Sequence, residues 1–283
     1  MTRTRRALGL LLVFLLLAWF LTPLLPLALW AGAESWSGTS GLPQRWGTGN
    51  LTSIYASNGG AAVLRSLALG TAVAVLATPA GVVAARALAL RQVRGPRLIA
   101  ALLFAPVALP VFAVVMGLNV VLLRLHVPGF LGITLVLVVS ALPYTTFLMR
   151  AAYAAYDVAF EDEARTLGAS PGAVRWRVRL PLLSPALAGA AFLAFLVGWS
   201  DYIVTLLLGG GRYVTLPILV ASAASGTGNE PTVAVLSLVA LVPPALLLVS
   251  AGLLRRRLNP RRSGSARRSD PAVSRLPLVE GAA

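Results

Sequence analysis

Six apolar runs divide the chain, and each is long enough to cross a bilayer as a helix. A membrane helix needs about 20 mostly apolar residues to span about 30 Å of hydrocarbon. The runs cover residues 7–31, 64–85, 98–123, 131–149, 186–208 and 233–254. The first run continues from Leu8 to Trp30. Because a signal peptide has an apolar core of only about 7–15 residues, we interpret this run as an uncleaved helix. The pattern therefore predicts an all-α polytopic membrane protein with six transmembrane helices.

The composition supports a membrane protein and excludes several kinds of binding and catalytic site. Hydrophobic residues make up 58% of the chain and charged residues 12%, whereas a soluble domain carries about 25% charged residues. All 24 basic residues are arginine, so the chain lacks the lysine that a Walker phosphate-binding loop requires. It also has no cysteine and a single histidine, His126, which argues against disulfides and metal sites. We therefore expect a chain that is not an enzyme and binds no cofactor or metal itself.

The distribution of arginine predicts the orientation in the membrane. Cytoplasmic segments of membrane proteins carry an excess of basic residues. With the N-terminus inside, 20 of the 24 arginines fall in inner segments, and only Arg45, Arg65, Arg124 and Arg212 fall outside. Both termini are then cytoplasmic, residues 32–60 form an external loop, and residues 258–283 form a disordered basic tail. Because the arginines are distributed between and around the apolar runs, they indicate a lipid membrane as partner, and we expect no nucleic acid.

The most charged segment, residues 157–181, lies between the fourth and fifth apolar runs. Its first part, DVAFEDEARTL, predicts a short helix that ends at Gly168, because glycine readily takes the left-handed conformation of a helix cap. Ser170 and Pro171 suit the start of a second short helix, and Pro181 and Pro185 are predicted to break the chain before the fifth span. The residues alone leave open a solvated amphipathic loop at the membrane surface.

The same segment resembles the signature loop of the permease subunits of binding-protein-dependent ABC importers. That pattern is E-A-A, three residues, G, nine residues, I, one residue, L-P. Gly168 is followed at this spacing by Val178 in place of isoleucine, and then by Leu180 and Pro181. The E-A-A positions fall on Asp162, Glu163 and Ala164, so that aspartate replaces glutamate and glutamate replaces the first alanine.

Other parts of the chain extend the resemblance to about residues 60–257. Pro79 followed by Ala84, Ala85 and Arg86 resembles the second core helix of the family, and APVALPVF at 105–112 resembles its third helix. FLVGWSDYIVTLLLGGG at 195–211 with TLP at 215–217 resembles the polyamine, thiamine and phosphonate branch. The resemblance implies a methionine-permease-like ABC importer fold, with residues 1–31 as an N-terminal helix and 61–257 as the transmembrane core.

The resemblance also implies partners and a coupling site. In this family the E-A-A loop is a coupling helix that docks on a cytoplasmic ATP-binding subunit, which holds ATP and Mg²⁺. The residues that it assigns to ATPase coupling are Asp162, Glu163, Ala164, Arg165, Gly168, Ala169, Leu180 and Pro181. The expected partners are two ATP-binding subunits, a second permease subunit and an extracytoplasmic solute-binding protein. The expected location is the inner membrane of a bacterium.

Polar residues within the apolar runs are candidates for a translocation path. Asp201 is the only acid within a run, and Trp199, Tyr202 and Thr205 flank it. A path role for Asp201 competes with that of a helix-end acid paired to Arg212 or to backbone amides. Asn119, in the third run, is a further path candidate, for which a packing role is the alternative.

The resemblance to the polyamine branch favours a small polar or cationic solute, with a sugar-type permease as the alternative. Two other classes compete. A self-contained carrier is less favoured, because its inverted-repeat similarity is not seen. A membrane enzyme is also less favoured, because the chain lacks a plausible set of catalytic residues.

Overall fold

Helices make up most of the computed structural model of this chain. The structure describes residues 3–36, 40–50, 52, 58–90 and 93–258, with side chains from residue 7 to residue 253 of these ranges. The predicted disordered tail from residue 259 onward, and parts of the predicted external loop at 37–39, 51 and 53–57, lie outside the described residues.

The described helices confirm the predicted all-α class. They are α1 (Arg3–Leu21), α2 (Leu24–Ala31), α3 (Gly59–Ala89), α4 (Pro96–Ala108), α5 (Val111–Arg124), α6 (Gly129–Ala154), α7 (Ala159–Thr166), α8 (Pro171–Ala173), a π-helical segment (Val174–Arg179), α9 (Leu180–Trp199), α10 (Ile203–Gly209), α11 (Leu216–Ala224) and α12 (Glu230–Leu258). Two short antiparallel strands, β1 (Ala33–Ser35) and β2 (Arg45–Trp46), follow α2.

Four of the described helices are long and apolar enough to cross a membrane alone. They cover Gly59–Ala89, Gly129–Ala154, Pro171–Trp199 and Glu230–Leu253. The pairs α1/α2 and α4/α5 each pass the same test only together, and they are bent by 48° and 98°. The number of spans therefore equals the predicted six when each bent pair is counted as one span.

The third predicted span, residues 98–123, differs most from a single helix. It consists of α4 and α5, which meet at nearly a right angle because Leu109 and Pro110 both have extended backbones. Proline disfavours the helical conformation of the residue before it and cannot donate a backbone hydrogen bond. The break is therefore a local consequence of the Leu-Pro pair.

The centre of the bundle is formed by α3, α6 and α9. Leu69, Ile133 and Ala194 are buried together near one end of these helices, and Ala85, Met149 and Leu183 near the other. Since residue numbers rise along α3 and α6 in the same direction and fall along α9, α3 and α6 run parallel and α9 runs antiparallel to both. This arrangement is the one that the predicted topology requires of the second, fourth and fifth spans.

Glycines allow these three helices to approach closely. A Cβ atom on Gly198 of α9 would lie 2.8 Å from the Cα atom of Gly70 on α3. A Cβ atom on Gly81 of α3 would overlap the side chain of Thr145 on α6. Helix pairs in membranes associate through small residues, because lipid provides no hydrophobic driving force between them.

We predict that Gly198→Ala destabilises the protein, because the added methyl group meets the backbone of α3, which cannot move aside cheaply. Overpacking of this kind costs about 1–3 kcal/mol. Gly117→Ala on α5 is the matched control, since a Cβ atom there meets nothing within 4 Å. Thermal unfolding in detergent measures the effect. An unchanged melting temperature for Gly198→Ala would contradict the close packing.

Candidate functional site

Residues 157–181, which we call the elbow, begin with the short helix α7. The Asp157 carboxylate accepts a hydrogen bond from the backbone N–H of Ala159 at 2.9 Å, which caps the start of the helix. At its end, the N–H of Ala169 bonds the carbonyl of Ala164, and the N–H of Gly168 bonds that of Arg165. These two bonds form a Schellman cap, which places Gly168 in the left-handed region at φ +85°.

The second half of the elbow is continuous with the membrane helix that follows. The Ser170 hydroxyl accepts a hydrogen bond from the N–H of Ala173, as an N-cap does. From Pro171 the chain is helical to Trp199, with a π-helical segment at Val174–Arg179. The prediction that Pro181 and Pro185 break the chain is therefore wrong. Proline cannot donate to a carbonyl one turn earlier, and the wider π turn directly before Pro181 accommodates this loss within the helix.

A buried carboxylate, Glu161, holds α7 against the helix that starts at Pro171 and against the end of α3. Its side chain is only 2% exposed. Arg179 donates to it twice, from Nε to Oε1 at 2.7 Å and from Nη2 to Oε2 at 2.6 Å. The Tyr156 hydroxyl donates to Oε1 at 3.2 Å, and Arg165 Nη2 to Oε2 at 3.4 Å. Arg86, at the end of α3, forms a longer ion pair with Oε2 at 3.8 Å.

The hydrogen bonds from Arg179 lower the pKa of the Glu161 carboxyl, although burial acts in the opposite direction. The folded pKa therefore lies below the ordinary unfolded value of about 4.3. A carboxyl shifted in this direction contributes stability above its unfolded pKa and loses that contribution as the pH falls through the folded pKa. The cluster is consequently ionised and intact at neutral pH.

The elbow turns its predicted coupling acids away from the bundle. Asp162 is 65% exposed and pairs with Arg165 at 2.8 Å within the same helix, and Glu163 is exposed as well. Gly168 and Leu167 are also exposed, whereas Ala164, Ala169 and Leu180 are half-buried and Pro181 is exposed. The structure thus separates an outward face that contains Asp162 and Glu163 from the inward carboxylate of Glu161.

Sequence reasoning missed Glu161, Arg179 and Tyr156 as members of one cluster. Glu161 lies one position before the E-A-A pattern, so the pattern draws attention to its neighbours. The only local signal is the spacing of Glu161 and Arg165, which are four residues apart and so share a face of α7. The partner Arg179 is 18 residues away, and only the turn at Gly168 brings it close.

The predicted path residues do not form one site. Asp201 lies in the break between α9 and α10, not within a helix as its position in the run implied. One of its oxygens accepts from both the N–H and the hydroxyl of Thr205 at 2.7 Å, and the other accepts from the N–H of Val204 at 3.4 Å. This is the alternative in which Asp201 pairs with backbone amides at a helix end. Trp199 is buried and donates from Nε1 to the carbonyl of Ala240 on α12 at 3.0 Å.

Asn119 borders a cavity of about 770 Å³ at the end of the bundle remote from the elbow. Its Nδ2 donates to the carbonyl of Leu207 at 3.4 Å. The cavity lies between α5, α6 and α10, and its other polar side chains are His126, Arg212 and Tyr213. No acid lines it among the described residues, and these residues contain no cluster of three metal-binding side chains. Tyr202 is 39% exposed and lies outside this cavity.

A second cavity, of about 850 Å³, lies at the elbow end of the bundle between α3, α6 and α9. Its walls are mostly apolar, and Arg86, Arg175 and Arg179 lie at the elbow end of it. The three central helices thus border a cavity beside the Glu161 cluster, where Ala85, Met149 and Leu183 still pack together, and α3 and α9 are in backbone contact at Gly70 and Gly198.

Comparison with known proteins gives a family and several relatives. Residues 77–264 match the family described as "Binding-protein-dependent transport system inner membrane component". The spermidine/putrescine transport system permease protein PotC of Haemophilus influenzae is 28% identical over 199 residues, which are 70% of this chain and 77% of PotC. The putative 2-aminoethylphosphonate transport system permease protein PhnV of Salmonella typhimurium is 26% identical over 259 residues, which are 90% of this chain and 96% of PhnV.

Two further matches are more partial or more remote. The molybdenum transport system permease protein ModB of Mycobacterium bovis is 34% identical over 113 residues, which are 40% of this chain and 43% of ModB. Among solved structures, a chain of a bacterial ABC transporter involved in the import of the acidic polysaccharide alginate matches with a TM-score of 0.63 and 18% identity. It covers 89% of this chain and 98% of that chain, and it supports the fold alone.

We predict that Glu161→Ala destabilises the protein far more than Asp162→Ala. Removal of one partner of a buried ion pair leaves an uncompensated charge and costs about 3–5 kcal/mol. Asp162 belongs to an exposed pair, and pairs of this kind contribute about 0–1 kcal/mol. Denaturant unfolding of both variants in detergent at neutral pH makes the comparison. Equal losses in the two variants would show that the Glu161 cluster does not stabilise the fold.

Proposed function

Because this chain belongs to the family of binding-protein-dependent transport system inner membrane components, we propose that it is the permease subunit of an ABC importer. In this role it forms the path of a solute across the membrane and couples that path to a separate ATPase. The observation that carries the coupling part is the elbow, in which α7 joins the long helix that starts at Pro171 through the turn at Gly168, and Glu161 holds α7 against that helix and the end of α3.

The elbow is the proposed docking site for an ATP-binding subunit. The elbow exposes the acids Asp162 and Glu163 and the apolar side chains of Leu167 and Trp176. Exposed charged and apolar groups within one short segment suit a partner that must bind in a defined orientation. Because this chain has no lysine for a phosphate-binding loop, ATP and Mg²⁺ belong to that partner.

The remaining partners complete an importer. By membership of the family, they are a second permease subunit, a second ATP-binding subunit and an extracytoplasmic solute-binding protein. The proposed orientation places the elbow and both termini in the cytoplasm of a bacterium. The arginine distribution supports this orientation, and the relative directions of α3, α6 and α9 agree with the number of crossings that it assumes.

Mechanically, the elbow can transmit a rigid-body movement. ATP-driven closure of the ATP-binding subunits would displace the elbow, and the helix from Pro171 to Trp199 would carry the displacement through the bilayer. A flexible linker would absorb the same movement. The three central helices would then rearrange to open the path toward the solute-binding protein, and ATP hydrolysis would reverse the change.

The substrate is proposed to be a small polar or cationic solute similar to a polyamine. The relatives named for spermidine and putrescine support this class. An anionic solute is the second candidate, because Arg212, His126 and Asn119 line the remote cavity without an acid among the described residues. In addition, the oxygens of Asp201 accept hydrogen bonds from α10, which reduces its capacity to bind a cation. The relatives named for 2-aminoethylphosphonate and molybdenum agree with this second class.

We predict that Gly168→Pro leaves membrane insertion intact and abolishes transport. Proline has φ near −65° and no N–H, whereas Gly168 has φ +85° and donates to the carbonyl of Arg165. Transport and solute-stimulated ATP hydrolysis by the reconstituted importer measure the result. Gly172→Ala is the matched control, because Gly172 lies in the same elbow and a Cβ atom there makes only an ordinary contact. Normal solute-stimulated hydrolysis in Gly168→Pro would contradict the coupling role of the elbow.

We also predict that alanine at both Asp162 and Glu163 weakens binding of the ATP-binding subunit and uncouples transport. Both acids are exposed, so their loss is expected to leave the fold unchanged. Co-purification of the ATP-binding subunit and the rate of transport are the two measurements. Wild-type values for both would exclude these acids from the docking surface.

The effect of replacing Arg212 on transport distinguishes a cationic solute from an anionic one. If the solute is cationic, Arg212→Gln should leave transport unchanged or raise it, since a like charge in the cavity opposes entry. If the solute is anionic, the same change should lower transport. The panel is spermidine, putrescine, 2-aminoethylphosphonate and molybdate, each with its own solute-binding protein. Arg124→Gln is the control, since Arg124 is the arginine at the end of α5 that does not line the cavity.

A further inference from the structure

We propose that Glu161 is a positioning residue which ties α7, the first helix of the elbow, to the membrane helices α3 and α9 and thereby sets how much of the elbow's movement reaches the solute path. This inference rests on the proposed function. It assigns the mechanical role to a carboxylate that faces the bundle, and it leaves the exposed acids Asp162 and Glu163 to contact the ATP-binding subunit.

Burial and bonding make Glu161 unsuited to direct docking. Its side chain is 2% exposed, and both of its oxygens accept short hydrogen bonds from Arg179. Tyr156 and Arg165 bond the same two oxygens. A partner subunit could reach this carboxylate only after the cluster had been taken apart.

α7 has no buried apolar side chain that could hold it to the bundle in place of Glu161. Glu161 is the only buried residue of that helix. Phe160 is 49% exposed, and Leu167, directly after the helix, is 88% exposed. Most helices of globular proteins are held by an apolar face. The first helix of the elbow is instead attached to the bundle through one buried carboxylate, so its attachment is ionic and directional.

The groups around this carboxylate come from different parts of the bundle. Arg179 lies at the end of the π-helical segment that continues into α9, and Arg86 lies near the end of α3. The bonds to Arg179 are 2.6 and 2.7 Å long, whereas the nearest approach of Arg86 is 3.8 Å. α7 and the helix that continues into α9 therefore form one rigid unit, and α3 is attached to that unit by a longer contact.

The cavity of about 850 Å³ gives this longer contact room to change. Arg86 and Arg179 both line the cavity, which lies between α3, α6 and α9. The side chain of Arg86 is 26% exposed, compared with 17% for Arg179. A displacement of the elbow toward or away from α3 is thus expected to alter the Arg86 contact while the Arg179 bonds persist.

The absence of cysteine in the chain permits a direct test of the tie. In the Glu161→Cys/Arg179→Cys variant the ionic bond is removed, and a short bifunctional methanethiosulfonate reagent can replace it with a covalent link. The assembly contains the full chain, its partner permease, cysteine-free ATP-binding subunits and the solute-binding protein. We expect the unlinked variant to lose solute-stimulated ATP hydrolysis and transport by at least about fivefold, the lower range of a typical coupling free energy.

Linking the two cysteines should restore both activities, and reduction should remove them again. A residue that serves folding alone would not respond to a link added after assembly. The cysteine-free natural chain treated with the same reagent is the control. Normal coupling without the link, or no recovery with it, would overturn the proposal.

Arg86→Gln provides a second, milder variant that removes only the long contact. We expect co-purification of the ATP-binding subunit to be unchanged and solute stimulation of hydrolysis to fall at least about fivefold. Arg97→Gln is the control, since Arg97 is an exposed arginine in the first turn of the next helix, α4. Wild-type stimulation in Arg86→Gln would contradict the role of α3 in the tie.

The wild-type assembly and Gly168→Pro separate this inference from the proposed function. If Gly168→Pro uncouples transport and the Glu161 and Arg86 variants do not, the tie is wrong and the permease role stands. If the wild-type chain neither co-purifies with an ATP-binding subunit nor supports solute-stimulated hydrolysis, the proposed function itself fails.

Discussion

The bidentate ion pair between Glu161 and Arg179 is the interaction on which the position of α7, the first helix of the elbow, depends. Burying a carboxylate costs several kcal/mol, and only good geometry with further hydrogen bonds offsets that cost. The pair has two bonds of 2.6 and 2.7 Å, and Tyr156 supplies an additional donor. A planar guanidinium fixes both the distance and the orientation of its partner. α7 therefore cannot slide along the bundle, as a helix held only by apolar contacts could.

Two of the central helices are in backbone contact at one level, and all three border a cavity at another. Gly70 and Gly198 bring the backbones of α3 and α9 into contact in the half of the bundle remote from the elbow. At the elbow end the same helices border the cavity of about 850 Å³. Protein interiors transmit displacements where they are close-packed. The end of α9 that meets the elbow therefore has a cavity beside it, whereas its other end is in backbone contact with α3.

Much of the architecture could be predicted from the sequence, because it follows from local rules. Apolar length identified the membrane helices, and the Gly168 cap and the Ser170 N-cap follow from the conformational preferences of those residues. The same rules failed where a neighbouring segment decides the outcome. Proline predicted a break at Pro181, yet the π turn before it keeps the helix continuous. The Leu109–Pro110 break, in contrast, bends the third span by 98°.

The candidate site also has a part that local sequence rules predict and a part that they do not. The spacing from Gly168 identifies the exposed residues of the elbow, since all of them lie within one short stretch of chain. Arg86 and Arg179 reach Glu161 only through the packing of α3 and α9. Their distances along the sequence carry no signal of this, and the E-A-A pattern directs attention to Asp162 instead. Tertiary contacts between charged side chains are therefore the part of the site that required a structure.

Asp201 shows why a polar residue in an apolar run is not by itself a path residue. The helix that begins at Pro171 ends at Trp199, whose indole is bonded to the backbone of α12. The chain then turns, and the carboxylate of Asp201 satisfies the first N–H groups of α10, which would otherwise lack partners inside the membrane. Beyond this cap, α10 leads to the cavity that contains Asn119 and Arg212. Asp201 thus lies at the joint between a continuous helix that starts in the elbow and the segment that borders the remote cavity.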